Sequence, residues 1–228
     1  MSEADRSLVA GIDAVLFDLD GVLVDTEPWW HEVRVAWAAA RGRSWSEEDS
    51  HLCMGRNSRE WSDIMRERLG VADAPLAIER AIVAALVGRY VSEPVPLVAG
   101  APAAVAAIAA RVQVAIASSA HPAVIRAAVG AAGLAPLFAT IVSSDDVARG
   151  KPAPDVYLEA ARRLGVAPAR CLVIEDSRNG VLAGRAAGMR VVLVPNASVP
   201  PGQGVAEIAD AVLERLADLP VASFGAAA

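Results

Sequence analysis

One lysine, two cysteines and three histidines are all that this 228-residue sequence holds of those types. Basic residues (21) are outnumbered by acidic ones (27), which gives a formal net charge of −6. That balance is the opposite of the electrostatic footprint of a nucleic-acid binder, so a phosphate-backbone partner is excluded. Cys53 and Cys171 lie far apart and in no C-x-x-C pair, which favours reduced, buried thiols over a disulfide or a zinc site. Arg, Asp, Gly or Pro interrupts every apolar run well short of the ~20 residues that span a bilayer, so no membrane partner is expected. Residues 1–6 carry acids where a secretory signal has bases, and Asp13 and Asp18 cut the apolar stretch that follows. The chain reads as soluble and cytoplasmic, where the Asn196-Ala-Ser198 sequon has no role.

Disorder is excluded in turn, because 54% of the residues are hydrophobic and the length suffices for a substantial core. The scarce residues are unevenly placed. All five tryptophans (Trp29, Trp30, Trp37, Trp45, Trp61) fall in one short stretch, while the rest of the chain is built from Ala, Val, Leu and Gly. The single lysine is Lys151, against twenty arginines. A chain that uses Arg nearly everywhere and Lys once points to a chemical reason for that Lys.

Short apolar runs at 14–17, 112–117, 139–142, 171–174 and 191–194 read as buried strands. Helical segments at 101–110, 122–132, 154–164 and 180–187 alternate with them. This order predicts an α/β fold, a Rossmann-like open parallel sheet covered by helices on both faces, with chemistry at the carboxyl ends of the strands. Residues 28–96 break the alternation. Trp30, Val33, Trp37 and Ala40 follow helical spacing, as do Trp61, Ile64, Met65 and Leu69, and then Ile78, Ile82, Leu86 and Tyr90. An inserted all-helical cap over 28–96 is expected, with 1–27 and 97–228 forming the α/β core. The Trp-rich stripes are expected to be the core of the insertion. Residues 226–228 are expected to fray.

Asp18 and Asp20 stand two apart at a strand end, so their side chains leave on one side, roughly 6 to 7 Å apart along the chain. Alone, an Asp-x-Asp pair is also what a solvated turn looks like. Glu175-Asp176 follows another strand, and in a parallel sheet all such strand ends lie along one edge. Four acids converging there call for a hard, oxygen-ligated divalent cation, most plausibly Mg²⁺. Ser118-Ser119-Ala120, between a strand and a helix starting near Pro122, offers a hydroxyl and backbone N–H groups either to an anion or to an ordinary N-cap. Lys151 sits between Gly150 and Pro152 on a rigid loop. Together these supply a carboxylate nucleophile, a second carboxylate for proton transfer, a metal site, an anion-binding turn and a fixed cation, the equipment of metal-assisted phosphoryl transfer.

Phe17-Asp-Leu-Asp-Gly-Val-Leu-Val-Asp-Thr-Glu27, Ser118 after Val-Ala-Ile-Ala, Gly150-Lys-Pro-Ala-Pro-Asp-Val-Tyr157 and Ile174-Glu-Asp-Ser-Arg-Asn-Gly180 resemble, in order and spacing, the four motifs of the haloacid dehalogenase superfamily. The likeness covers essentially the whole chain and is to the branch of β-phosphoglucomutase, phosphoglycolate phosphatase and the sugar-phosphate phosphatases. It implies that Asp18 attacks phosphorus and becomes an aspartyl phosphate, while Asp20 protonates the leaving alcohol and then deprotonates water. It implies Mg²⁺ held by Asp18, the Asp20 carbonyl and Asp176, with Glu175 acting directly or through water, and phosphoryl oxygens held by Ser118, the Ser119 N–H and Lys151. The dehalogenases lack the second acid of the first motif, so Asp20 favours phosphate esters. The expected substrate is a small phosphorylated metabolite, a sugar phosphate foremost, and the expected assembly is a monomer or weak homo-oligomer.

A phosphomutase of the β-phosphoglucomutase type is the alternative. That pattern has a cap lysine, absent from this insertion, and a histidine twelve residues after the nucleophile, where Trp30 stands. Three insertion residues are candidates for substrate contact. His31 opens the insertion near the expected mouth, and Arg56 and Arg59 could reach a second anionic group or simply face solvent.

Overall fold

In the computed structural model, residues 7–196 and 200–225 are described. The acidic residues 1–6, Ser198 of the sequon and the 226–228 tail lie outside them. Six strands form one parallel sheet: β1 (Ala14–Phe17), β2 (Gln113–Ser118), β3 (Thr140–Ser143), β4 (Cys171–Glu175), β5 (Arg190–Leu193) and β6 (Ala211–Val212), in the order β3-β2-β1-β4-β5-β6. Alternate residues of each strand enter different cores. Val15, Phe17, Ile116 and Ile174 join one cluster, and Ala14, Leu16, Ala117 and Val173 the other. A strand buried on both faces has no polar side to show, which is why these strands read as unbroken apolar runs.

Helices α1 (Glu27–Ala39), α2 (Glu47–Cys53), α3 (Ser58–Leu69) and α4 (Pro75–Ser92) come between β1 and β2, followed by α5 (Ala101–Ala109). Beyond β2 come α6 (Pro122–Ala131), α7 (Asp155–Leu164) and α8 (Arg178–Ala186). Helices α5 and α6 pack on the first face through Val105, Ile108, Ile125 and Val129. Helices α7 and α8 pack on the second through Val156, Tyr157, Ala160 and Val181. Connections from β1 and β4 therefore leave toward opposite faces, and the crevice between these neighbouring strands opens at their carboxyl ends.

Asp25 N–H donates to Pro96 O (2.7 Å) and Val98 N–H to Leu23 O (3.0 Å), so the two chain segments flanking the helical insertion are tied to each other. Within it, Trp29, Trp30, Trp37 and Trp61 are buried in the same cluster as Ile78, Ile82 and Leu86. Helix α2, unforeseen in the sequence, starts with a capping box: Ser46 Oγ accepts from Asp49 N–H, and Asp49 accepts in return from Ser46 N–H. Asn57 and Glu60 form a second box at the start of α3. No helix among the described residues is long and apolar enough to cross a membrane.

Candidate active site

The strand ends meet in one cavity of about 740 Å³ lined by Asp18, Asp20, Ser118, Ser119, Lys151 and Asp176. Asp18 directly follows β1, and its N–H extends the ladder to Ile174 O at 3.0 Å. Lys151, from the loop before α7, is 4% exposed. Its Nζ lies 2.6 Å from both Asp18 Oδ1 and Glu175 Oε1. Burial works against this cation, yet the two carboxylates outweigh burial and hold its pKa above the ordinary lysine value.

Glu175 is sealed. Its Oε1 accepts from Lys151 and from the Tyr157 hydroxyl (2.7 Å), and its Oε2 accepts from Asp176 N–H (3.1 Å), Ser177 N–H (3.1 Å) and Ser177 Oγ (2.9 Å). Burial alone would raise this carboxyl, but Lys151 and the hydrogen bonds bring it below the ordinary value. Gly180 makes room for it, since a Cβ there would stand 1.7 Å from Glu175 Oε1.

Asp20 is clamped on one oxygen. Thr26 Oγ1 donates to Asp20 Oδ1 at 2.5 Å and Trp30 Nε1 at 3.2 Å, while Tyr90 donates to Thr26 Oγ1 at 3.3 Å. Oδ2 receives no hydrogen bond among the described residues. Burial raises the Asp20 carboxyl against these two donors. Burial also pushes Asp18 up to about 7, opposed by Lys151 and reinforced by Glu175. Lys151 by itself thus leaves Asp18 above the ordinary aspartate range.

Asp18, Glu175 and Asp176 each offer a carboxylate oxygen within 4.8 Å of the others. Burial and the neighbouring carboxylates of Glu175, Asp18 and Glu27 raise Asp176 well above the usual range against Lys151, the state of a carboxylate whose own cation is not a protein side chain. Gly21 keeps its place clear. At φ +81°, its missing Cβ would fall 1.8 Å from Asp176 Oδ2. This donor set suits a hard divalent cation. With both Glu175 oxygens already taken, Asp18 and Asp176 are the members left to ligate it.

Ser118 Oγ accepts from Ala120 N–H (3.1 Å), and Ser119 Oγ donates to Gly55 O of the helical insertion (3.1 Å). The N-cap of α6 is His121, whose Nδ1 accepts from Ala123 N–H, so Ser118 and Ser119 are not its caps. The insertion candidates fare differently. His31 does not line the main cavity; it contacts Ser50 Oγ (2.9 Å) and lines a neighbouring cavity of about 260 Å³ that shares Glu27, Glu47, His51 and Met54 with the main one. Its place is taken by His51, on α2, which lines the main cavity with Glu47 and Met54. Arg59 is exposed and lines neither the main cavity nor its small annex, whereas Arg56 lines the annex. Sequence reasoning missed Thr26, Tyr90 and Tyr157, whose hydroxyls serve the acids from elsewhere in the chain.

A family model described as haloacid dehalogenase-like hydrolase matches residues 12–188. The chain is 33% identical over 183 residues to fructose-1-phosphate phosphatase YqaB of Escherichia coli, covering 78% of this chain and 94% of that one. It is 32% identical to the bifunctional riboflavin kinase/FMN phosphatase of Arabidopsis thaliana, of which it spans about half: 92% of this chain against 55% of that one. The structure of CbbY from Rhodobacter sphaeroides in complex with phosphate superposes with a TM-score of 0.80 at 27% identity, covering 93% of this chain and 99% of that one. Motifs, strand order and matched span agree: the chain belongs to the haloacid dehalogenase-like hydrolases.

Proposed function

We propose that this chain is a Mg²⁺-dependent phosphatase of small phosphorylated metabolites, sugar phosphates foremost, working through an aspartyl phosphate on Asp18. The observation that carries the reading is the convergence of Asp18, Asp20, Lys151 and Ser118 on one cavity, with Lys151 Nζ at 2.6 Å from Asp18. The phosphatase names of its relatives support it.

In this reading Asp18 attacks phosphorus with the carboxylate oxygen that Lys151 does not bind. Lys151, held by Glu175 and hence by Tyr157 and Ser177, stays a cation at a fixed point and balances charge that grows on the phosphoryl oxygens. Ser118 and the Ser119 N–H hold those oxygens from the opposite strand end. Asp20, raised by burial, keeps a proton for the leaving alcohol and takes one from the attacking water. Mg²⁺, held by Asp18, Asp176 and the Asp20 carbonyl, would supply charge neutralisation between carboxylate and phosphate.

Water, not a second sugar hydroxyl, is the favoured acceptor. At the position of the mutase histidine, Trp30 donates an indole N–H to Asp20. An indole is a donor only, so it can orient Asp20 but cannot pass a proton between Asp20 and a bound sugar. Purified protein is expected to release phosphate from hexose phosphates with little or no conversion of β-glucose 1-phosphate to glucose 6-phosphate, even with the bisphosphate primer supplied. Efficient interconversion with negligible phosphate release would make the mutase the correct reading.

A further inference from the structure

Thr26 stands at the N-cap of α1, yet its side chain caps nothing. The capping boxes of α2 and α3 show the ordinary use of such a position, a side-chain oxygen accepting from the N–H of the third helical residue. The Thr26 hydroxyl is instead committed to Asp20 Oδ1 at 2.5 Å, and it lies 3.3 Å from the hydroxyl of Tyr90. Thr26 is fully buried and Tyr90 is 3% exposed, so water does not complete either group. The direction of this chain follows from its donors. Tyr90 has no acceptor other than Thr26 Oγ1 among the described residues, so its proton points there. Thr26 has a single proton, which goes to Asp20 Oδ1. The Trp30 indole, a donor only, adds a second hydrogen bond to the same oxygen. Burial and the nearby Asp20 hold the Tyr90 phenol above its ordinary value, so it stays a donor. Tyr90 is itself anchored at the C-terminal end of α4. Its ring meets the edge of Trp29 at 5.2 Å, Arg89 lies 4.5 Å over Trp29, and Glu32 and Glu93 hold Arg89.

We propose that Tyr90 is a positioning residue for the general acid: through Thr26 it keeps Asp20 Oδ1 an acceptor only, and so reserves Oδ2, the oxygen without a hydrogen bond, for the substrate. The inference rests on the phosphatase reading for the role of Asp20, and goes beyond it in assigning a residue from the far end of the insertion to the acid step. As Asp18 bonds to phosphorus and the P–O bond to the leaving group breaks, the proton taken up by the leaving oxygen comes from Oδ2. A proton on Oδ1 would point at Thr26 and be withheld from the leaving group. Without the Tyr90 hydroxyl, Thr26 Oγ1 becomes free to accept, and Asp20 can turn its proton that way. The relay also joins the two segments that enter and leave the insertion. Thr26 follows Asp25, whose N–H donates to Pro96 O, and Tyr90 lies just before that return to the sheet.

Two esters whose leaving groups differ in basicity test this. A p-nitrophenolate departs without a proton, whereas an alkoxide needs one, so a fault in the acid step shows with fructose 1-phosphate and not with p-nitrophenyl phosphate. The quantity compared is kcat/KM, which ends at loss of the leaving group. Tyr90→Phe is expected to lower it roughly 5- to 30-fold for fructose 1-phosphate, mostly through kcat, and less than about twofold for p-nitrophenyl phosphate. Thr26→Val should show the same selectivity with a loss of about 100-fold, and Thr26→Ser, which keeps the hydroxyl, should recover most of it. Ile82→Val, a buried change on the same helix, is expected to lower Tm and leave the ratio of the two esters at the wild-type value. Equal losses on both esters with Tyr90→Phe, or no loss on either, would overturn the inference and make Tyr90 a packing residue. A neutron structure of the wild type exchanged into D₂O reads the relay without any variant or turnover. Deuterium on Tyr90 aimed at Thr26 Oγ1, with that of Thr26 aimed at Asp20 Oδ1, supports the inference, and the reverse order overturns it. Absent turnover of both esters by a wild type with the supporting deuterium order sinks only the phosphatase reading.

Discussion

The two walls of the cavity treat buried charge in opposite ways. At the strand ends Lys151 is answered from within the chain by Asp18 and Glu175, and Glu175 by Tyr157, Ser177 and two backbone N–H groups, with Asp176 left for a cation from outside. In the helical insertion, Arg34 Nε and the indole N–H groups of Trp37 and Trp61 are buried without partners. A satisfied network is rigid and does the same thing to every ligand, whereas an unsatisfied one is completed only by the ligand that matches it. The reacting groups are thus preorganised on the sheet, and discrimination falls to the helices.

Substitutions on the sheet side should therefore damage all substrates alike. Asp18→Asn, which keeps the volume and removes the nucleophile, is expected to lower aryl phosphate hydrolysis by about 10⁴-fold or more with the fold retained by circular dichroism. Chelation should have a comparable effect, with turnover restored by Mg²⁺ and inhibited by excess Ca²⁺, whose looser shell does not hold the reacting groups in line. Full-rate turnover by chelator-treated protein would remove the metal from the account. Lys151→Ala should reduce kcat by about 10²- to 10³-fold and also lower Tm, because it leaves Asp18 and Glu175 buried with no cation. The exposed pair of Arg215 with Asp218 is the control, and Arg215→Ala should change neither quantity.

The smallest effect expected is on stability and comes from Glu27, on the insertion side. Burial pushes its carboxyl from 4.5 to about 7, with Asp20 adding to the rise and Arg34 opposing it. The folded state then binds this proton more tightly than the unfolded one, so the group costs stability increasingly as pH rises from about 4.5 to 7. Glu27→Gln removes that cost. Because Glu27 keeps some contact with water, we expect a gain of only about 1 kcal/mol, or ~2–4 °C in Tm, at pH 8 and none at pH 4. An equal shift at both pH values would mean that the effect is packing.

Much of the sheet side was legible in the sequence because its signals are local. Strands buried on both faces read as apolar runs, and Asp18, Asp20 and Asp176 each follow the end of such a run within three residues. Lys151 stood out as the only lysine. β6 was not legible, since two residues pairing at a sheet edge leave no pattern. Helix α2 was missed because its seven residues carry three acids and little apolar periodicity, and its capping box supplies the signal instead. The insertion side was harder for a different reason. One arginine among twenty shows its burial only when the rings around it are in place, and His51 lines the main cavity where His31 was expected, through the packing of α2 against α1. Thr26, Tyr90 and Tyr157 act through hydroxyl contacts that span 6 to 64 residues of chain, which no local pattern records.

The claim at the centre of the account is that Asp18 carries the phosphoryl group. Acid-quenching the wild type during steady-state turnover of a hexose phosphate, then digesting it and analysing the peptides by mass spectrometry, tests it directly. The account predicts a phosphorylated peptide containing residues 17–21, with the phosphoryl group on Asp18, and none from Asp18→Asn under the same conditions. Phosphate release at full rate with Asp18 unmodified, or with the phosphoryl group on another residue, would contradict it.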